Sequence, residues 1–143
     1  MGAGALIFNL KGELLIVKPN YKDHWSIPGG VVGEHESPRN GCIREVKEEI
    51  GLDIKEIRFL CVDHIISDDP IKREGLQFAF YGGILNDSQI ASIKLQEKEL
   101  DEYRFVSVEE AGKLLGKHLS NRLPKAIDAI KTGTAVYLEN GEF

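Results

Sequence analysis

The chain runs to 143 residues, with 18 Lys and Arg against 23 Asp and Glu and a formal net charge of −5. That length lets one domain, residues 1–143, bury a substantial core, while the acidic balance offers no basic footprint for nucleic acid or an anionic membrane. No apolar run approaches the roughly 18 residues of a membrane span, the first ten residues lack the layout of a signal peptide, and Cys42 and Cys61 give neither a disulfide framework nor a metal-ligand spacing, so a cytoplasmic protein with packed thiols is expected.

Residues 3–9 and 13–17 are two short apolar runs around a turn containing Gly12, which predicts a β-hairpin. Residues 18–24 are polar and loop-like, with Pro19, Asn20 and Asp23. Residues 25–30 follow as Trp-Ser-Ile-Pro-Gly-Gly. Pro28 restricts Ile27 to an extended conformation, and the paired glycines permit close backbone approach to a ligand.

The next element is a helix with two opposed faces. Ser37 is a natural N-cap, Pro38 suits the first turn, and Gly51 supplies the left-handed residue past the end. Helical rotation places Ile43, Val46 and Ile50 in one arc, to be buried, with Cys42 adjoining it. The same rotation gathers Glu45, Glu48 and Glu49 at i, i+3 and i+4, where like charges repel. Taken alone, a Glu-rich stretch is most simply a solvated face. A hard divalent cation would turn the repulsion into binding.

The surrounding residues decide between those readings. Over residues 30–52, Gly30, Glu36, Arg44, Glu45, Val46, Glu48, Glu49, Gly51 and Leu52 stand at the spacing Gly, five residues, Glu, seven residues, Arg-Glu-aliphatic-x-Glu-Glu-x-Gly-aliphatic. That pattern resembles the Nudix box at every fixed position, and the chain is identified as similar to the Nudix hydrolases. His35 is a departure, because Gly commonly precedes the box glutamate in that family. It falls at a variable position, so the local loop geometry is what it puts in question.

After the box, residues 57–66 form a long β-rich run, and residues 67–75 a polar connection with Asp68, Asp69, Pro70 and Gly75 as turn residues. Residues 76–85 read as the partner strand, Gly82-Gly83 marking a bulge or exit. His64 is read as a structural side chain. Residues 88–94 are either a strand or irregular. The acidic stretch from Glu97 runs into a strand ending at Val106, followed by helical spacing over 108–115. A second helix is expected over 121–131, with Pro124 in its first turn and Gly133 closing it, and then a short strand over 134–138.

The order supports α+β in short alternation, and the resemblance implies an α/β/α sandwich with a mixed β-sheet between helices. It also implies metal-dependent hydrolysis: activated water attacks phosphorus and splits the diphosphate linkage of a nucleoside diphosphate joined to another moiety, or of a nucleoside triphosphate. Glu45, Glu48, Glu49 and the carbonyl of Gly30 are the expected metal ligands, with Mg²⁺ the expected ion and Mn²⁺ a substitute. Arg44 is expected to orient a box glutamate, Glu36 to brace the loop and Gly51 to close the helix. The proton acceptor is left between Glu45 and a carboxylate of the later acidic loop, Glu99 first and Glu97 second. Lys18, Tyr21, Lys22 and Trp25 are the candidates for touching substrate. The implied partner is a small-molecule nucleotide diphosphate, with no nucleic acid or membrane, and a homodimer is compatible. The competing reading is a non-catalytic, nucleotide-sensing domain, which the full set of box acids argues against.

Overall fold

Along the first strand, β1 (Gly2–Phe8), every residue is buried. A strand that is apolar on both faces belongs in the middle of a sheet covered by helices on each side. The computed structural model describes residues 1–66 and 75–143 and gives that arrangement. The other strands are β2 (Leu14–Pro19), β3 (Gly29–Val31), β4 (Arg58–Ile65), β5 (Gly75–Ile84), β6 (Leu100–Val106) and β7 (Val136–Glu139). The helices are α1 (Pro38–Ile50), α2 (Asp87–Ala91), α3 (Val108–Leu114) and α4 (Lys117–Thr132).

The strand order is β6-β2-β1-β5-β4-β7, with β3 also paired to β1. β1 with β5 and β4 with β7 are parallel, and the remaining pairs are antiparallel. Side chains alternate across the sheet as the two-residue strand period requires. Ala3, Ala5 and Ile7 join Leu15 and Val17 against Cys42, Val46 and Ile50 of α1. Leu6, Phe8, Leu14 and Ile16 face the opposite way, onto Ala111 of α3 and Leu123, Ala126 and Ala129 of α4. This is the expected α/β/α sandwich. Cys42 and Cys61 are both buried free thiols, and burial pushes them up to about 12 and about 11.

One edge of β1 is shared. β2 meets it at Phe8↔Leu14, whereas β3 takes its first half, at Gly2↔Val31, Ala3↔Gly30 and Gly4↔Gly29. The segment between β2 and β3 is stitched to both sides, by a bridge from Val17 to Ser26 and by the Ala5 N–H donating to the Pro28 carbonyl at 2.9 Å. That fork carries Gly29 and Gly30 to the face of the sheet that α1 covers.

Several expectations meet the structure directly. The Gly82-Gly83 pair marks a bulge: pairing passes from Leu6↔Tyr81 to Ile7↔Gly83, leaving Gly82 as the extra residue. The expected turn at Asp68, Asp69 and Pro70 lies outside the described residues. The 88–94 segment, read as strand or irregular, holds most of α2, which is nucleated by reciprocal hydrogen bonds between Asn86 and Gln89. The second long helix starts at Lys117 rather than near Asn121, so Pro124 sits in its interior and not in its first turn. Pro124 removes an intrahelical hydrogen bond there; burial of Leu123, Ala126 and Ala129 on the same helix offsets the loss. Among the described residues no helix is long and apolar enough to cross a membrane.

Candidate active site

Helix α1 is fixed at both ends before any acid is considered. The Ser37 hydroxyl accepts the Asn40 N–H at 3.1 Å, and Gly51, at φ 75°, closes the far end with its N–H on the Lys47 carbonyl. Val46 and Ile50 are fully buried, which sets the rotation of the helix about its axis. Glu49 is therefore carried under the sheet, Glu45 to its margin and Glu48 outward.

Glu49 is 8% exposed and accepts the Gly29 N–H at 2.6 Å. Burial raises its carboxyl from the ordinary 4.5 to about 7; the Gly29 N–H opposes the rise, and the charges of Glu45, Glu99 and Glu48 add to it. Burial raises Glu45 as well, against the pull of Arg44. Gly30 is the residue that lets Glu45 in. A Cβ there would stand 2.5 Å from the Glu45 carboxylate, so no side chain is tolerated without moving the acid.

Arg44 ties these acids to the loop. Its Nε and Nη2 donate to the two oxygens of Glu36 at 2.8 and 2.9 Å, and Nη1 reaches Glu45 at 3.1 Å and Glu48 at 3.2 Å. Nη2 also donates to the Val31 carbonyl at 3.1 Å. Glu36 accepts the Gly33 N–H at 2.8 Å besides. These bonds, Arg44 first, hold the Glu36 carboxyl down to about 2. His35 next to it adopts φ 60°, a left-handed conformation that Gly occupies without strain.

The acidic loop after α2 is laced to the same helix. The Lys94 and Gln96 N–H groups donate to the carbonyls of Ile50 and Glu49, and the Asn20 N–H donates to the Glu99 carbonyl. Glu99 is thereby held within electrostatic reach of Glu45 and Glu49, its side chain exposed. Glu97 faces a separate shallow pocket with Leu95 and Tyr103.

A cleft of about 800 Å³ opens beside Glu49, Gly29 and Gly30 and runs to Gly116 at the start of α4. Tyr21 and Lys22 stand in its lining, and Trp25, 8% exposed, forms wall beneath the Arg104 guanidinium 4.6 Å away. Lys18 is not brought to it; its Nζ donates to the carbonyls of Pro19 and Lys22 in its own loop. His24, Gln77, Lys117, His118 and Arg122 line the cleft as well, and the sequence reading missed them. They come from segments far apart in the chain, so no local spacing could have pointed to them.

A NUDIX domain model matches residues 1–126. The chain belongs to the Nudix hydrolases. It is 42% identical over 112 residues to an RNA pyrophosphohydrolase of Hydrogenovibrio crunogenus, covering 70% of this chain and 67% of that one. It is 30% identical over 115 residues to Nudix hydrolase 5 of Arabidopsis thaliana, covering 77% of this chain and 37% of the relative's length. Among solved structures, a MutT protein from Methanosarcina mazei Go1 superposes with a TM-score of 0.75 at 26% identity, covering 91% of this chain and 94% of that one. This Nudix hydrolase is of the pyrophosphohydrolase type. Its family is generally dependent on divalent metal ions.

The donor set tests whether such an ion suits this chain. Its acids offer carboxylate oxygens, three glutamates on one turn of helix with Gly30 packed against Glu45, and oxygen is what a hard divalent cation takes. Burial raises the carboxyls of Glu49 and Glu45, and the like charges of their acidic neighbours add to it. Among the described residues no three acids converge on one point as they stand. Arg44 accounts for this, since it holds Glu45 and Glu48 on one side while Gly29 holds Glu49 on the other. The chemistry of the set fits the ion.

Proposed function

We propose that this Nudix hydrolase cleaves the diphosphate linkage of a nucleotide in a Mg²⁺-dependent reaction at Glu45, Glu48, Glu49 and the Gly30 carbonyl. The observation that carries it is the buried Glu49, held on the Gly29 N–H with Glu45 and Glu99 in electrostatic reach, lining one end of the cleft. When bound, the ion neutralises phosphate charge and makes coordinated water more acidic. Glu48 is half exposed and turned outward, so it is the ligand most open to solvent. Arg44, through its fork to Glu36 and its contacts to Glu45 and Glu48, positions the ligands without touching substrate. Glu99 takes the proton of the attacking water, because no hydrogen bond occupies its side chain among the described residues, whereas Glu45 is tied to Arg44 and pressed against Gly30. Water adds to phosphorus, the bridging P–O bond breaks, and the leaving phosphate departs with the electron pair of that bond.

A second reading concerns the substrate alone. The identity to an RNA pyrophosphohydrolase supports a diphosphate released from the 5′ end of an RNA rather than from a free nucleotide. One experiment separates these: a panel of free nucleotides and 5′-triphosphorylated oligoribonucleotides assayed with Mg²⁺, the products identified by mass. Glu48→Gln and Glu99→Gln are each expected to lose at least about two decades of rate on whichever compound is cleaved. Wild-type turnover in Glu48→Gln would sink the assignment of the metal ligands.

A further inference from the structure

The cleft that Glu49 closes at one end is basic at the other. Its lining carries Lys22, His24, Lys117, His118 and Arg122, with Glu49 the one Asp or Glu side chain among the described lining residues. The protein as a whole is acidic, at −5, so this gathering runs against its average. Packing does not explain it, because Lys117 and His118 are exposed.

Arg122 is the built part of this end. Its side chain is 9% exposed, and its Nε donates to Asp63 Oδ2 at 2.9 Å. Asp63 is fully buried and spends its other oxygen on the Gly141 N–H at 3.0 Å. With one edge of the guanidinium so fixed, its two terminal nitrogens have no hydrogen bond among the described residues, and the residue lines the cleft. A planar donor fork held rigidly with free N–H groups suits a phosphate. Lys117 and His118 stand in the first turn of α4, whose N-cap, Gly116, makes no side-chain cap bond. Cations are unfavourable at the positive end of a helix dipole, and an anion bound between them reverses that cost. The His24 ring packs directly over Gly116, where a Cβ would come 2.7 Å from its Cδ2.

We infer that this end of the cleft is a second anion subsite, which takes a phosphate beyond the two whose anhydride is split. It rests on reading the cleft as a diphosphate-hydrolysing site. The substrate class it selects is a nucleotide carrying at least one further phosphate, over one whose diphosphate joins a nucleoside to a neutral group. That phosphate has two sources, a longer polyphosphate chain or the phosphodiester of an oligonucleotide.

The test compares kcat/KM for ADP-ribose, diadenosine tetraphosphate and a 5′-triphosphorylated adenylate dinucleotide, in wild type, Lys117→Glu/His118→Glu and Lys131→Glu. Lys131→Glu reverses an exposed charge in the last turn of the same helix, away from the cleft. The double variant should lower the ratio of tetraphosphate or dinucleotide to ADP-ribose at least about tenfold, mostly through KM, and Lys131→Glu should leave the ratios in place. A loss on the tetraphosphate alone assigns the polyphosphate source, and a loss on the dinucleotide alone the phosphodiester. Equal loss on all three compounds, or none, overturns the subsite. If wild type cleaves none of them, the reading of the catalytic end falls first. Calorimetric binding of inorganic tripolyphosphate without metal then decides the subsite: tenfold weaker binding to the double variant sustains it, and equal binding overturns it.

Discussion

Glu49→Gln should make the metal-free protein more stable at neutral and alkaline pH while abolishing the proposed metal site. The native carboxyl is raised by burial from 4.5 to about 7 and has neighbours of its own sign in Glu45, Glu99 and Glu48. A folded value above the unfolded one means that the native state holds this proton more tightly than the unfolded chain does. The group therefore costs nothing below about pH 4.5, and its penalty grows as pH rises to about 7, above which it is complete. That difference amounts to roughly 3 kcal/mol, with no large discount for screening because the side chain is buried. Glutamine keeps the shape, and its amide oxygen still accepts the Gly29 N–H. Urea or thermal unfolding in chelator, at about pH 4.5, 6 and 8, should show the variant equal to wild type at the lowest pH. At the highest it should lead by roughly 3 kcal/mol, or roughly 10 °C in Tm for a domain of this size. Mg²⁺ should close the gap by stabilising wild type alone. Parallel pH curves for the two proteins would refute the reasoning, since every other acid, Glu36 included, is common to both.

Turnover should vanish in excess chelator and return with Mg²⁺ or Mn²⁺, and full activity in chelator would remove the metal from the mechanism. Arg44→Lys should lower kcat about ten- to a hundredfold with an unchanged circular dichroism spectrum, because lysine cannot hold both oxygens of Glu36 while reaching Glu45 and Glu48; unaltered kinetics would make the fork incidental. Asp63→Ala strands Arg122 in a buried position, and chemical denaturation should report a loss of about 3–5 kcal/mol. His35→Gly should gain about 0.5–1 kcal/mol, the left-handed strain at φ 60° outweighing glycine's greater freedom in the unfolded chain, and a lower Tm would contradict this.

What the sequence made legible was what local chemistry decides. Ser37, Pro38 and Gly51 bound α1 where capping rules place its ends, and the burial of Val46 and Ile50 follows from helical spacing. His35 marked a loop position where the backbone is strained, and its φ of 60° lies there. The capping box of Asn86 and Gln89 was equally local and went unread, because the segment between is too short and polar to show a helical period. Spacing could not tell which of the three helical glutamates would be covered: the fork leaves Glu48 half exposed beside Arg44, and it is Glu49 that the sheet covers. Lys117, His118 and Arg122 were invisible for a different reason: only the topology that sets α4 across from β3 brings them to the cleft.

A cluster of carboxylates persists only on a support that gains more than the cluster loses. Here the support and the cluster share one helix. Full burial of Val46 and Ile50 contributes about 1.5–3 kcal/mol each, and the Ser37 cap about 1. The penalty at Glu49 is roughly 3 kcal/mol at neutral pH, so unwinding the last turn to release Glu49 would forfeit Ile50 and the Gly51 closure and cost about as much as it relieved. The last turn is further tied by the Lys94 and Gln96 N–H groups on the carbonyls of Ile50 and Glu49. Those bonds tip the balance toward the intact helix. The acids stay together with their repulsion unrelieved, which is the condition that the proposed cation would exploit. Removing Glu49 would stabilise the fold and remove that condition in the same step.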